Sequence, residues 1–402
     1  MFDHFYHTRS AGDKCTLFSD RNLVDRRNVK ADVDKAANPC RKFLEMEVHA
    51  RIISACLQTL GLNSMHETPA SNILPNGLQD AMPKAKREFL HKIASQVVDK
   101  YILQKENVQC LLKKVLTQDE IQQYWLKDMT PDGRFKCRYP SCPQTFTFDA
   151  ASRRIHENNH DPPVCAIYDV SPEVVDAQLS AEEHDDMFNY QCSFLELSMI
   201  ILNFLDAIKE GDGLRVLRCW KFMLPYLHHH KGSTKYALEA LFLIFQAHAL
   251  LSPRDAHRLV WNRFALLKKG MGGNIPLDLH LEFMHKILKE VVRKLGPNAS
   301  NKKCIDRYAH SLDVNSVILA NFDANCHITK RSGKHTRKSQ SSDLDKVVQQ
   351  LMEQKALTFT PGRAYGHFSN IEPTVLNNFN LQKMYKWINK HKRNILLQTH
   401  AR

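Results

Sequence analysis

Four metal-capable side chains in the spacing C-x4-C-x13-H-x3-H constrain the stretch from Phe135 to His160 more tightly than anything else in this chain. Cys137 and Cys142 bracket a turn built on Pro140 and Ser141, which brings two thiols to one point. Asp149 is placed to cap a helix over the residues that follow, and on that helix His156 and His160 stand one turn apart on one face. Two sulfurs and two imidazole nitrogens complete a tetrahedral shell and leave no position for water or substrate. The spacing therefore predicts one structural Zn2+ per chain, held by Cys137, Cys142, His156 and His160. Phe135 and Phe146 fall where a small ββα finger places its hydrophobic pins. Two features depart from the usual finger: its cysteine-to-histidine spacing is one residue longer, and Arg153 stands where a core leucine is normal. The positions that would face DNA bases are Asp149, Ser152 and Ile155, and none is a bidentate reader of a guanine or adenine edge. Such a module reads as a folding clamp or a protein contact before it reads as a DNA reader.

The rest of the chain is helical by its periodicity. Apolar residues recur at three- and four-residue steps over 41–60, with Gly61 as the stop, then over 84–116 and 121–129. Beyond the finger, 185–208 and 236–251 are apolar nearly all round, the mark of helices buried on most sides. Between them a helix over 214–224 is expected to stop near Pro225. Ser252, Pro253 and Asp255 form a helix start, predicted to run through Phe264 to the Gly270–Gly273 breaker. Further helices are read from Pro276 to Leu295, over 305–322 and over 344–357. Strand alternation is scarce outside the finger, so the class is all-α, a multi-helical globular body with one small ββα zinc-finger insertion. The division expected is a helical segment over 1–130 whose start is missing, the finger over 131–163, an apolar helical core over 164–330, and a basic loop with C-terminal helices over 331–402.

Composition bounds the function. A chain of 402 residues can bury at least one sizeable core, and 43% hydrophobic with 25% charged residues describes a globular protein. A net charge of +13 welcomes an acidic partner, for which nucleic acid is the common choice. Eleven cysteines, an odd number without a secretory signal, point to a reduced intracellular protein, and a nuclear one is compatible with the finger. No apolar run reaches about eighteen residues without a charge, so no membrane span is expected. No phosphate-binding glycine loop, hydrolase elbow or kinase motif is present, and no small-molecule substrate is evident.

Catalytic candidates are weak. Asp206, Glu210 and Asp212, with Arg215 and Arg218 beside them, are the best set for a metal-dependent nuclease, but they equally form the polar boundary between two buried helices. His228, His229 and His230, and the pair Cys326-His327, are weaker metal candidates. For nucleic acid, Lys330, Arg331, Lys334, Arg337 and Lys338 form an acid-free basic loop. In the C-terminal segment Leu381, Met384, Tyr385 and Ile388 make an apolar stripe and Lys386, Lys390 and Arg393 a basic one, expected to dock and to face solvent respectively.

The run from Glu210 to Phe264, EGDGLRVLRCWKFMLPYLHHHKGSTKYALEALFLIFQAHALLSPRDAHRLVWNRF, and the following MGGNIPLDLHLEF resemble domain-of-unknown-function family 6589. The resemblance extends to RSAGDKCTL, NPCRKFLEMEVHA, the finger and TPGRAYGHFSN. It implies kinship with proteins that multiply like mobile elements, and no established activity. Longer members carry further sequence upstream, so the resemblance implies a C-terminal portion. The combined expectation is a zinc-finger protein that binds nucleic acid or protein, with a transposase-like nuclease or its inactive remnant as the alternative.

Overall fold

The computed structural model describes residues 1–62, 67–73, 75, 77–78, 80–103, 130, 134–147, 151–164, 184–267, 270–294, 296, 300–328, 340–376 and 379–396. In chain order these form α1 (Phe2–Phe5), α2 (Leu17–Leu23), α3 (Ala37–Leu60), α4 (Pro83–Val97), β1 (Phe135–Lys136), β2 (Thr145–Phe146) and α5 (Ala151–Asn158). Then come α6 (Asp186–Glu210), α7 (Gly213–His229), α8 (Thr234–Phe245), α9 (Pro253–Trp261), β3 (Phe264–Leu266), β4 (Asn274–Pro276), α10 (Leu277–Lys294), α11 (Lys302–Asn325), α12 (Gln340–Glu353) and α13 (Leu381–Leu396). The class is all-α, and β1, β2 and α5 fit a zinc-finger insertion.

The main apolar core draws on sequence-distant segments. Phe5 and Leu17, Phe43 and Val48 of α3, Phe194 and Leu195 of α6, Val347 and Leu351 of α12, and Tyr365 and Phe368 beyond it are buried together. The centre of this core is not wholly apolar. Arg51 of α3 is fully buried, stacks on the Phe194 ring with its guanidinium 4.5 Å from the centroid, and donates to Gln191 Oε1 at 2.7 Å, Cys15 O at 2.9 Å and Asp20 Oδ2 at 3.1 Å. It also donates to the Glu47 carboxylate, one turn earlier on α3. Burial pushes the Asp20 and Glu47 carboxyls up, and Asp20's charge adds to the rise at Glu47 while Arg51 opposes it. Asp20 Oδ1 and Glu47 Oε1 have no donor among the described residues, so the charge of the pair is balanced by Arg51.

Three carboxylates tie residues 358–371 to this core. Asp185 caps α6 by accepting from Phe188 N at 3.1 Å and also takes Thr360 N and the Arg363 guanidinium. Asp186 accepts from Tyr365 N and Ile371 N, and Asp13 from Gly366 N and His367 N, both at 2.9 Å. Backbone donors that a loop would otherwise bury unpaired are thereby satisfied. By length and composition α6 would suffice to cross a membrane; here its N-terminal half, with Tyr190, Gln191, Cys192 and Phe194, lies inside the core.

A second apolar cluster joins α7, α8 and α13 through Leu224, Ala237, Leu241 and Met384, with Trp220, Trp387 and Ile388 packed on it. The C-terminal helix therefore docks through Met384 and Ile388 of its predicted stripe with Trp387 beside them, and Lys386 and Lys390 are exposed, while the Arg393 side chain lies outside what is described. At the other end of α7, Gly213 lies against α9 so closely that a Cβ would stand 2.2 Å from Val260 O, which only glycine permits.

Two helix limits differ from the sequence reading. Helix α7 does not stop near Pro225 but runs through it to His229. Proline removes one backbone bond, and the packing of Leu224 and Leu227 into the second cluster offsets that loss. Helix α9 ends at Trp261 rather than passing Phe264, because Phe264–Leu266 pairs antiparallel with Asn274–Pro276 in the register Phe264↔Pro276, Ala265↔Ile275 and Leu266↔Asn274. Gly270 and Gly272, at φ 100° and 70°, lie between these strands, where positive φ suits glycine. A second small hairpin thus accompanies that of the finger. The readings over 104–116 and 121–129 lie outside the described residues.

Candidate metal centre

The finger assembles from short-range interactions. Phe135 pairs with Phe146 and Lys136 with Thr145 across β1 and β2, and Cys137 N donates to Gln144 O at 2.9 Å, continuing the hairpin. Ser141 at φ 66° and the bond from Cys142 N to Tyr139 O at 3.1 Å close the turn between the cysteines. Helix α5 carries His156, and His160 follows two residues past its end at Asn158. Asp149, expected as the cap, lies outside the described residues.

These elements bring all four predicted ligands together. One donor atom from each of Cys137, Cys142, His156 and His160 lies within 4.8 Å of every other. Cys137 Sγ is 3.4 Å from His160 Nε2, Cys142 Sγ is 3.3 Å from His156 Nε2, and the two Nε2 atoms are 3.1 Å apart. Bond lengths of about 2.3 Å to sulfur and 2.0–2.1 Å to nitrogen make tetrahedral edges of about 3.3–3.8 Å, so the shell has the size of a tetrahedral cation site. Two imidazole nitrogens this close would repel through their lone pairs without a cation or proton between them. Burial pushes the Cys137 thiol up, and the Cys142 sulfur adds to the rise. A metal ion reverses that balance by binding the thiolate.

Three further residues brace the ligands. The Tyr139 ring stacks on His160 at 4.1 Å and 7°, and its hydroxyl donates to Asp161 O at 3.0 Å. Glu157, next to His156, accepts from Arg138 N at 3.1 Å and from Arg153 Nε at 2.9 Å. Arg153 is fully buried, its guanidinium 5.6 Å from the Phe135 ring centroid, so it fills the usual leucine position as a charge-paired residue. The i,i+4 spacing of Arg153 and Glu157 was a readable signal for this pair; the stacking of Tyr139 was not. Ile155 is 62% exposed, and Ser152 is exposed too.

The other candidates are placed differently. Arg215 Nη1 binds Asp206 Oδ2 at 2.8 Å, and Asp212 caps α7 by accepting from Arg215 N at 3.0 Å. Glu210 points instead toward the hairpin turn at Gly272. Asp206, Glu210 and Asp212 do not converge; among the described residues the finger supplies the only group of three or more such ligands. Asp212→Ala is expected to cost about 1 kcal/mol of stability through removal of the cap, read by denaturant unfolding; specific Mn2+ binding by the unaltered chain that disappears in this variant would reverse the assignment. His228 packs on Trp387 at 4.9 Å, where burial lowers its pKa, and His230 faces Ser233. Lys330, Arg331, Lys334, Arg337 and Lys338 lie outside the described residues.

No curated protein and no solved structure matches the chain. A model described as a family of unknown function, DUF6589, matches residues 1–335, most of the sequence, and the chain belongs to that family.

Proposed function

We propose that this chain is a binding factor, for nucleic acid or protein, whose finger is held by one structural Zn2+. The observation that carries the reading is the closed shell of Cys137, Cys142, His156 and His160, with donor atoms within 4.8 Å of one another. Two thiolates and two imidazoles suit a tetrahedral, borderline-soft cation, and four protein donors leave no open position for a reacting water. The family resemblance supports descent from a mobile-element protein, and the ion-paired state of Asp206 and Asp212 favours a role in binding over strand cleavage. A factor of this kind would act in the nucleus.

The purified chain is expected to contain one zinc per molecule by elemental analysis, and the Co2+-substituted protein to show the visible bands of a tetrahedral S2N2 site. Both thiols must lose protons on binding, so affinity falls in acid. Chelation or Cys142→Ser is expected to open about residues 134–160 to protease while most helical circular dichroism persists, since α3 and α6 are packed in the main core. Collapse of the whole helical signal would make the finger a keystone; zinc absent from protein purified without chelator would remove the site.

A further inference from the structure

We propose that the exposed lysine row of α13 is the surface on which this chain binds the phosphate backbone of duplex nucleic acid. This inference rests on the reading of the chain as a binding factor and assigns that reading a place. Lys383, Lys386 and Lys390 recur at i, i+3 and i+7, which sets them on one face of α13, and all three are exposed. Lys392, nine residues on from Lys383 and therefore on the far side of the helix, is exposed as well. Among the described residues none of the four is ion-paired. Between Glu372 and Arg402 the sequence contains no Asp or Glu.

The ground beneath the helix is free of acids along α7, and α8 carries one, Glu239. Helix α13 packs on α7 and α8 through Met384, Trp387 and Ile388. Between Asp212 and Glu239, a stretch spanning all of α7 and the start of α8, there is no Asp or Glu but Arg215, Arg218, Lys221, Lys231 and Lys235. The junction is tight enough that His228 contacts Trp387 and that Lys383 helps lower its pKa after burial. Asn380 fixes the helix start by accepting from Lys383 N at 2.8 Å. A polyanion approaching α13 therefore meets a rigid cationic row about 10 Å long, set by a rise of 1.5 Å per residue.

Three features favour duplex phosphate over other anions. A helix that lies in an anionic membrane must offer its apolar face to lipid, and here that face is turned into the protein. Lysine is a strongly hydrated point charge, suited to sequence-independent phosphate contact rather than to bidentate capture of a carboxylate. The finger supplies no base reader at Ser152 or Ile155, so backbone contact is the mode left to the described surface.

The test is the salt dependence of binding of the full chain to a duplex DNA oligomer, for the unaltered protein and for Lys383→Gln/Lys386→Gln/Lys390→Gln. Glutamine keeps the helix propensity of lysine, and far-UV circular dichroism confirms that the fold is unchanged. The variant is expected to bind more weakly at low salt, with a log–log slope shallower by up to about 2.7, from about 0.9 for each phosphate that is no longer neutralised. The corresponding Lys→Arg variant should retain affinity. Equal slopes for the unaltered and glutamine proteins would overturn the surface while leaving the binding reading intact. No retention of duplex DNA or RNA by the unaltered chain would overturn the surface and the nucleic-acid half of the binding reading, leaving a protein partner. Binding of phosphatidylserine vesicles, but not duplex, that is abolished in the glutamine variant would reassign the row to lipid and overturn the proposal.

Discussion

Ending the chain at residue 335 is expected to abolish folding of the helical body, although that boundary coincides with the end of the family match. The residues removed include Val347, Val348, Leu351, Leu357, Tyr365 and Phe368, all buried in the main core against α3 and α6. At about 1.5–3 kcal/mol for each large side chain buried, their removal costs more than roughly 9 kcal/mol, comparable with the whole stability of a domain at about 5–15 kcal/mol. The cut also strands Asp13, Asp185 and Asp186, buried carboxylates whose donors come from residues 360–371. The 1–335 fragment should aggregate or show no cooperative thermal transition by circular dichroism. A chain ending at residue 376 keeps the main core and should still unfold cooperatively. A cooperative transition in the 1–335 fragment would show that the last segments are accessory.

Arg51→Met is expected to destabilise the protein by about 3–5 kcal/mol, the range for breaking a buried ion pair from one side. Methionine fills much of the volume over Phe194 but leaves the Asp20 and Glu47 carboxyls without their cation. Their pKa values are already raised in the folded state, chiefly by burial, and Arg51 is the charge that opposes the rise. Removing it raises them further. A carboxyl whose folded pKa lies above its unfolded one stabilises fully below the unfolded value, near pH 4, and that stabilisation is lost as pH rises through the folded value. The deficit of the variant should therefore shrink as pH falls from 7 toward 4.5, measured by urea unfolding across that window. A deficit independent of pH would show that poorer packing, not stranded charge, carries the effect.

Much of this was legible before the structure. Ser252 caps α9 and accepts from Asp255 N at 3.2 Å, as the Ser-Pro-Arg-Asp start implies. Gly61 and Gly211 end α3 and α6 at φ 68° and 70°. These are local signals, set within a few residues. The hairpin at Phe264 was not legible, because three-residue strands offer too little alternation to outweigh a helical pattern that enters them. Passage of α7 through Pro225 was decided by packing, which local propensity cannot register.

The candidate metal centre belongs to what the sequence by itself determined: thirteen intervening residues and one turn of helix suffice to bring four ligands together, and the hydrogen bonds described around them are made within residues 130–161. The same short range made the helices and their apolar faces readable. Only the tertiary structure decided that Arg51, an ordinary basic residue in a helical pattern, meets Asp20 and Gln191 from 31 and 140 residues away. It likewise decided that Asp13 receives Gly366 N across 353 residues, and that Asp206 and Asp212 both pair with Arg215. A periodic pattern specifies which face of an element is buried, but the partner of a buried charge is fixed by where distant elements pack, and no spacing in the chain encodes that distance.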